Sequence, residues 1–222
     1  MGAGPELFEA IRAGDAARVR EMVTADGDLV NSRNAQGQSA VLAACYMGQK
    51  EIRDLLLEKG ANLELHEAAA AGKLIHVQKL VEGKPELAKS YSPDGFPVMA
   101  LAAAFGHEDV VRYLCEKGAE INAAAANGTG YTALTGAVAS GHAAIVKWLA
   151  EHGADVNYRY AKGYSPLLTA AANGHLGIVK TLLAHGAELH ARTDDGKNAL
   201  QFAEERGHKD VSDYLRGLGL TA

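Results

Sequence analysis

Histidine and cysteine are the residues of this 222-residue chain whose side chains could coordinate a metal ion or attack a substrate. Four of the nine histidines directly follow a glycine and recur every 33 to 35 residues, at His107, His142, His175 and His208. If each stands in its own packed helix layer, neighbouring histidines lie about 8–10 Å apart. The ligands of one ion must converge to within about 2.3 Å of it. We therefore interpret these histidines as structural residues and predict no metal site.

The two cysteines and the glycine-rich turns give no better basis for catalysis. Cys45 and Cys115 occupy positions where the surrounding pattern favours apolar residues. A nucleophilic cysteine also needs a neighbouring base and a lowered pKa. The glycine-rich stretch 127–130 is typical of a turn, since no Lys-Ser or Lys-Thr pair follows it at the start of a helix. We predict that the chain is not an enzyme and that it carries no cofactor.

Composition and charge restrict the possible partners. Hydrophobic residues make up 48% of the chain and charged residues 22%, which is typical of a globular domain. The net charge of −5 argues against nucleic acid and against an anionic membrane, because both bind basic patches. No apolar run approaches the ~18 residues of a membrane-spanning helix. Two cysteines cannot form a disulfide framework, so we expect a reducing compartment, the cytoplasm. We also expect a monomer.

A glycine that follows an apolar, alanine-rich stretch recurs along the chain. Its positions are separated by 34, 24, 34, 35, 33 and 33 residues: Gly14, Gly48, Gly72, Gly106, Gly141, Gly174 and Gly207. In one repeat, Ser165 is a good helix N-cap, Pro166 suits the first helical position and Gly174 can end the helix. A second helix is predicted over 176–185, with apolar residues on one face. Helices this short must share a core with neighbours, so the pattern predicts stacked helix pairs.

These residues resemble the ankyrin repeat, whose pattern runs from a turn glycine through T-P-L-H-x-A-A, G-H and I-V-x-x-L-L to G-A-D-V-N. The matching residues of one copy are Gly163, Ser165, Pro166, Leu167, Ala170, Ala171, Gly174, His175, Ile178, Val179, Leu182, Leu183, Gly186 and Ala187. Residues 153–157 match the last element in full, and the resemblance covers about residues 6–218. It implies a mainly α fold, an ankyrin-repeat solenoid of helix-turn-helix pairs with short projecting β-hairpins. The histidine of T-P-L-H is present once, as Leu65-His66.

The resemblance predicts a single array over residues 1–222, with repeats near 5–33, 34–63, 64–91, 92–126, 127–159, 160–192 and 193–222. Only residues 62–64 separate Ala61 from Leu65, which is too short for a two-stranded hairpin. We therefore expect repeat 3 to lack a preceding hairpin. Residues 6–61 also align without gaps with residues 64–119. Our hypothesis is that an N-terminal pair of repeats was duplicated, which leaves a notch near Leu63.

In the ankyrin family, ligand contacts come mostly from hairpin tips and from the two residues before the G-H glycine. By this resemblance, the candidate partner-binding residues are six aromatic residues and one methionine: Tyr46, Met47, Phe96, Phe105, Tyr131, Tyr160 and Tyr164. Aromatic side chains suit binding hot spots because they offer a large and rigid contact area. The alternative is that these rings only pack neighbouring hairpins against one another.

The resemblance implies a non-enzymatic protein-protein interaction module that binds an unidentified protein through its concave face and hairpin tips. Two other functions remain open. One is a small-ligand or metal site at the notch near Leu63, in a pocket lined by His66 and Phe96. The other is a stable scaffold array without a specific partner.

Overall fold

The structure is a computed structural model that describes residues 3 to 221 of the chain. Its described part is mostly helical, with fourteen α-helices and three short 3-10 helices. The mainly α fold class predicted from the sequence is confirmed. The helices follow one another in pairs, because two or three residues join the members of each pair while longer segments join one pair to the next.

The chain divides into two compact units between Lys84 and Pro85. The first unit contains six α-helices: α1 (Ala3–Ala13), α2 (Ala16–Ala25), α3 (Ala40–Tyr46), α4 (Lys50–Glu58), α5 (Leu65–Ala70) and α6 (Leu74–Gly83). The second unit contains eight: α7 (Val98–Ala104), α8 (Glu108–Glu116), α9 (Ala133–Ala139), α10 (Ala143–Glu151), α11 (Pro166–Ala172), α12 (Leu176–Ala184), α13 (Ala199–Glu205) and α14 (Lys209–Gly217). The single array of seven repeats remains a prediction.

In several helix pairs a side-chain cap begins the first helix of the pair. Ser39, Thr132, Ser165 and Asn198 each accept a hydrogen bond from the backbone N–H three residues further on. Such a cap is worth about 1 kcal/mol, too little to stabilise a helix of seven residues by itself. Burial supplies the rest, since six of the seven residues of α3 and six of the seven of α11 are buried.

Two of the glycine-linked histidines connect one helix pair to the pair before it. The Nε2–H of His142 donates to the carbonyl of Ala104 at 3.1 Å, and that of His208 donates to Ala172 at 3.1 Å. A carbonyl oxygen can only accept, so each of these rings carries its proton on Nε2. The bonds run from the start of a second helix to the end of the preceding pair's first helix, so these two histidines stabilise the stack.

Short two-stranded projections, here called fingers, join most of the helix pairs. Each consists of a single antiparallel bridge rather than a strand pair, at Arg33↔Ser39, Tyr91↔Pro97, Tyr160↔Tyr164 and Arg192↔Asn198. In the second unit the segments that join successive helix pairs are also tied to one another through the backbone, where Ala126 N–H donates to Gly95 at 2.8 Å and Asp194 N–H donates to Lys162 at 3.1 Å. Residues 59–64, which join α4 to α5, form no bridge in the described chain.

Candidate functional site

Four tyrosines of the second unit stand in continuous ring contact, and we call them the tyrosine row. They are Tyr131, Tyr158, Tyr160 and Tyr164. The ring centroid of Tyr160 lies 5.5 Å from that of Tyr131, 6.5 Å from that of Tyr158 and 6.3 Å from that of Tyr164. Spacings of 4.5–7 Å are typical of favourable aromatic pairs. All four side chains are half-buried, so each keeps part of its ring in solvent.

The finger between α10 and α11 sets the positions of two members of the row. Tyr160 and Tyr164 are bridge partners, and the N–H of Tyr160 donates to the carbonyl of Tyr164 at 3.0 Å. The tight turn between them needs two left-handed residues, Lys162 at φ 60° and Gly163 at φ 74°. A non-glycine residue in this conformation is uncommon and costs free energy, which the surrounding contacts must offset.

Tyr160 is the central and most constrained member of the tyrosine row. Its hydroxyl is hydrogen-bonded to Oγ1 of Thr169 on α11. Burial raises the pKa of Tyr160 from 10.0 to about 12, an effect that the hydrogen bond to Thr169 partly opposes. The phenol therefore stays protonated at neutral pH, and its ring contacts the other three tyrosines of the row.

Phe202 extends the row and was missed in the sequence analysis. Its ring is buried on α13, with a centroid 5.3 Å from that of Tyr164, and Lys197 Nζ lies 5.8 Å from its centroid. A signal was present in the sequence, because Phe202 is the fourth residue after the helix cap. In α3, α5, α7, α9 and α11 the fourth residue after the N-cap is smaller or aliphatic: Ala43, Ala68, Leu101, Gly136 and Thr169.

The remaining candidate residues lie outside the tyrosine row. Tyr46 and Met47, at the end of α3 in the first unit, are 36% and 51% exposed and line a surface cavity of about 390 Å³ with Phe8. Phe96 and Phe105 belong to the second unit and are half-buried, one in the finger that ends at Pro97 and one at the C-cap of α7. The structure thus brings together three of the seven candidates, Tyr131, Tyr160 and Tyr164.

The notch predicted near Leu63 coincides with a surface cavity of about 820 Å³ in the first unit, which we call the α4–α6 groove. Its apolar wall is formed by Leu57, Leu63, Leu74 and Ile75, next to His76. The Nε2–H of His76 donates to the carbonyl of Leu63 at 3.0 Å. The expected lining by His66 was wrong, because His66 is buried and does not reach this cavity. Phe96 is part of the second unit.

The structure also corrects the sequence register at His66. Helix α5 has Glu64 as its N-cap, so the position of the T-P-L-H histidine, the third helical residue, falls on Glu67. His66 is the second helical residue, and its ring nitrogens lie 3.7 Å from a Glu64 oxygen and 3.8 Å from a Glu67 oxygen. The misreading arose because the Leu-His pair matches the motif one residue too early.

Two kinds of reactive site, a metal centre and a nucleophilic cysteine, can be checked in the described residues. Within residues 3–221, no set of three or more His, Cys, Asp or Glu side chains is placed to hold a metal ion. Burial raises the pKa of the Cys45 thiol to about 12 and raises the pKa of Cys115 as well. Neither thiol is therefore activated as a nucleophile at neutral pH. In the same range, every helix is too short or too polar to cross a lipid bilayer.

Helix pairs linked by fingers, with histidine ties between pairs, define a repeat protein of stacked helical hairpins. Two family models of ankyrin repeats match this chain, one of three copies over residues 65–160 and one of many copies over residues 149–203. Together they span more than half of the sequence, and the chain belongs to the ankyrin repeat family. Ankyrin repeats are generally protein–protein interaction modules, and the family is typically non-enzymatic.

Curated relatives match this chain over a small part of their own length. "Ankyrin repeat and SAM domain-containing protein 6" of Rattus norvegicus is 35% identical over 124 residues, 56% of this chain and 11% of that protein. "Protein fem-1 homolog A-like" of Mus musculus is 34% identical over 95 residues, 38% of this chain and 14% of that protein. "Transient receptor potential cation channel subfamily A member 1 homolog" of Caenorhabditis elegans is 31% identical over 131 residues, 55% of this chain and 11% of that protein. The matches therefore span little more than a tenth of each relative's length.

Proposed function

We propose that this chain is a non-enzymatic interaction module that holds a protein partner on its fingers, with the tyrosine row as the main contact. The observation that carries the proposal is the continuous contact of four tyrosine rings around Tyr160, at centroid distances of 5.5 to 6.5 Å. Tyrosine is enriched at binding hot spots, because its ring offers contact area and its hydroxyl offers a hydrogen bond.

The packing of the row reduces the entropy that binding would cost. Rings already fixed by their neighbours lose little rotamer freedom when a partner covers them, so more of the contact energy appears as affinity. Charged side chains lie beside the row, including Arg159, whose guanidinium is 3.5 Å from a carboxylate oxygen of Asp194, with both side chains exposed. Aromatic residues beside exposed charges match the apolar core and polar rim of a protein interface.

The proposal also covers the binding face, the oligomeric state, the class of partner and the location of the protein. The partner contacts extend from the hairpin tips onto the concave face that the family resemblance implies, and the protein acts as a monomer. Nucleic acid and membrane are not proposed as partners, a view supported by the net charge of −5. A cytoplasmic location is supported by Cys45 and Cys115, which are both free thiols in the structure.

A capture experiment with matched variants tests the proposal. The tagged wild-type chain, a Tyr131→Ala/Tyr164→Ala variant and a Tyr214→Ala control are each incubated with an extract of the source organism, and retained proteins are identified. Tyr214 is a half-buried tyrosine of α14 outside the tyrosine row. We expect at least one protein that the wild type and Tyr214→Ala retain and that the double variant loses, while the melting temperature of the double variant stays close to that of wild type.

Two other results would contradict the proposal. If the three proteins retain the same set, the tyrosine row does not bind the partner. If the double variant melts far below the wild type and captures no less, the rings act only in packing, as the scaffold alternative requires. The small-ligand alternative at the notch is separate from both, because it concerns residues of the first unit around Leu63.

A further inference from the structure

Helix α6 carries an apolar side chain where the corresponding helices carry acidic or small residues. Ile75 is the second residue of α6 and is 77% exposed, more than any other exposed large hydrophobic residue in the described chain. The second residues of the other second helices are Ala17, Glu51, Asp109, Ala144, Gly177 and Asp210. The fold therefore does not require an apolar residue at this position, and exposing one leaves its hydrophobic surface in contact with water.

Ile75 lies on the edge of the α4–α6 groove, whose apolar wall also includes Leu57, Leu63 and Leu74. The groove lies where residues 59–64 join two helix pairs without a finger. A volume of about 820 Å³ exceeds what side-chain packing leaves at an ordinary helix–helix contact. Exposed apolar surface in a concave site typically marks a binding site.

The rim of the groove carries charges of opposite sign on its two sides. Asp54 and Glu58 lie on the α4 side, and Lys73 and Lys79 lie on the α6 side. All four residues are exposed. Asp54 is paired with Arg53 at 2.9 Å, and the hydrogen bond from Arg53 holds the pKa of Asp54 below its ordinary value, so this carboxylate is charged at neutral pH. The rim therefore favours a ligand with both basic and acidic groups.

We propose that the α4–α6 groove binds an amphipathic helix of a protein partner. The apolar stripe of that helix contacts Leu63, Leu74 and Ile75, with basic side chains toward the acidic rim of α4 and acidic ones toward the basic rim of α6. Both main walls are helices, whose surface ridges accept a third helix in the usual geometry of helix packing. The lining residues include no bridge or strand edge that an extended peptide could pair with. This site is independent of the tyrosine row and does not rest on the proposed function.

Synthetic peptides added to the full chain test the proposal. The first is a helix of about 18 residues, or about five turns, with leucines on one face, lysines along one flank and glutamates along the other. Two comparison peptides keep the leucine face and carry lysines on both flanks or glutamates on both flanks. We expect the mixed-charge peptide to bind about tenfold more tightly than either comparison peptide by fluorescence anisotropy. It should also shift the amide resonances of Leu57, Leu63 and Ile75.

Substitution at the groove separates specific binding from general stickiness. Ile75→Asp introduces the residue type that Asp109 and Asp210 show to be compatible with this helix position. We expect this substitution to lower the affinity for the mixed-charge peptide by about tenfold or more, because it replaces an apolar contact in the complex with a charge. Leu218→Asp, which changes a leucine that is 46% exposed in the other unit, and Tyr131→Ala/Tyr164→Ala should leave the affinity unchanged.

Three results would overturn the proposal: no binding of the mixed-charge peptide, equal binding of all three peptides, or full affinity in Ile75→Asp. An anilinonaphthalene sulfonate dye serves as a small apolar probe. The dye could bind the wild type and fail to bind Ile75→Asp, while none of the peptides binds. In that case the groove binds small molecules and the helix proposal is wrong. Because the tyrosine-row variant is part of the series, failure here leaves the proposed function of that row unaffected.

Discussion

Arg33 Nη1 lies 3.1 Å from Oε1 of Glu67, a carboxylate whose side chain has no solvent-exposed surface. The same guanidinium contacts Oε1 of Glu64 at 2.8 Å and donates to the carbonyl of Gly37 at 2.9 Å. The second oxygen of Glu67 accepts the backbone N–H of Glu64 at 2.8 Å. A half-exposed arginine from the first finger thus compensates a fully buried charge on α5.

This pair predicts an unequal response to the loss of its two members. Arg33→Ala leaves the carboxylate of Glu67 buried without its cation, and we expect the free energy of unfolding to fall by about 3–5 kcal/mol. Glu67→Leu removes the buried charge and introduces leucine, the residue that α3 and α11 carry at the same helix position, as Leu42 and Leu168. It should cost much less, because Arg33 can turn toward water.

Urea denaturation of the two single variants and the double variant measures the coupling between Arg33 and Glu67. We expect Arg33→Ala to cost little in the background of Glu67→Leu. A loss of about 1 kcal/mol or less for Arg33→Ala alone would mean that the pair behaves like a surface salt bridge and that this account is wrong.

The close approach of a histidine ring to a glycine predicts a steric effect beyond backbone strain. Gly174 and Gly207 both adopt left-handed conformations, with φ of 73° and 75°. A Cβ atom on Gly174 would lie 2.5 Å from the His208 ring, whereas a Cβ on Gly207 would meet nothing within 4 Å. Gly207→Ala should therefore cost about 1–2 kcal/mol, the strain of the backbone alone.

Gly174→Ala should cost clearly more than Gly207→Ala, because the displaced ring loses its hydrogen bond to Ala172. Thermal unfolding of the two variants, followed by circular dichroism, makes the comparison. His208→Ala provides the check, since adding Gly174→Ala to it should cost no more than Gly207→Ala costs in the wild type. Equal losses for the two single glycine variants would contradict the steric explanation.

The raised pKa of Tyr160 predicts a loss of stability at alkaline pH. Unfolded tyrosine ionises at a pKa of 10.0, whereas burial raises the pKa of the folded side chain to about 12. The protonated folded form is thus favoured below pH 10, and this contribution to stability disappears as the pH rises from 10 to 12. Urea unfolding at several pH values should show wild type losing more stability than Tyr160→Phe across this interval.

Tyr160→Phe should also lower stability at neutral pH by about 0.5–1.5 kcal/mol, because Thr169 loses its hydrogen-bond partner. Tyr158→Phe is the matched control, because it removes a phenol of the same tyrosine row and leaves Tyr160 in place. If wild type and Tyr160→Phe lose stability equally in that interval, Tyr160 does not titrate as described.

The helix pairs could be predicted because their signals are local. Ser165, Pro166 and Gly174 start and end a helix through their own backbone and side-chain chemistry, and the structure places α11 within a residue of the predicted bounds. The register of α5 could not be read in this way, because its N-cap is Glu64 rather than serine or threonine. The Leu-His pair then imitated the family motif one residue too early, and the buried Glu67 was overlooked.

Only part of the site could be predicted, because ring contacts depend on side-chain direction. Tyr131, Tyr160 and Tyr164 were proposed from the family pattern, and the structure shows their rings in contact, but their role in partner binding stays a prediction. Phe202 was not, since it lies on a helix in a sequence segment dominated by polar residues. Its contact with Tyr164 depends on how closely α13 approaches the finger before α11. Phe202 and Ile75 both differ in residue type from the residues at the same position of the other repeats. Comparing the repeats position by position therefore identifies such residues.

The two cysteines are predicted to differ in reactivity because their burial differs. Cys45 is 7% exposed, and its pKa of about 12 leaves almost no thiolate at pH 8. Cys115 is half-buried and keeps access to solvent, so a disulfide reagent should modify it faster than Cys45 in the native protein, even though burial also raises the pKa of Cys115, whereas Cys45 should react only when the first unit opens. Cys115→Ala should remove the fast phase of the reaction, and Cys45→Ala should remove the slow one. Equal rates for the two thiols in native protein would mean that the core around α3 opens far more readily than its burial implies.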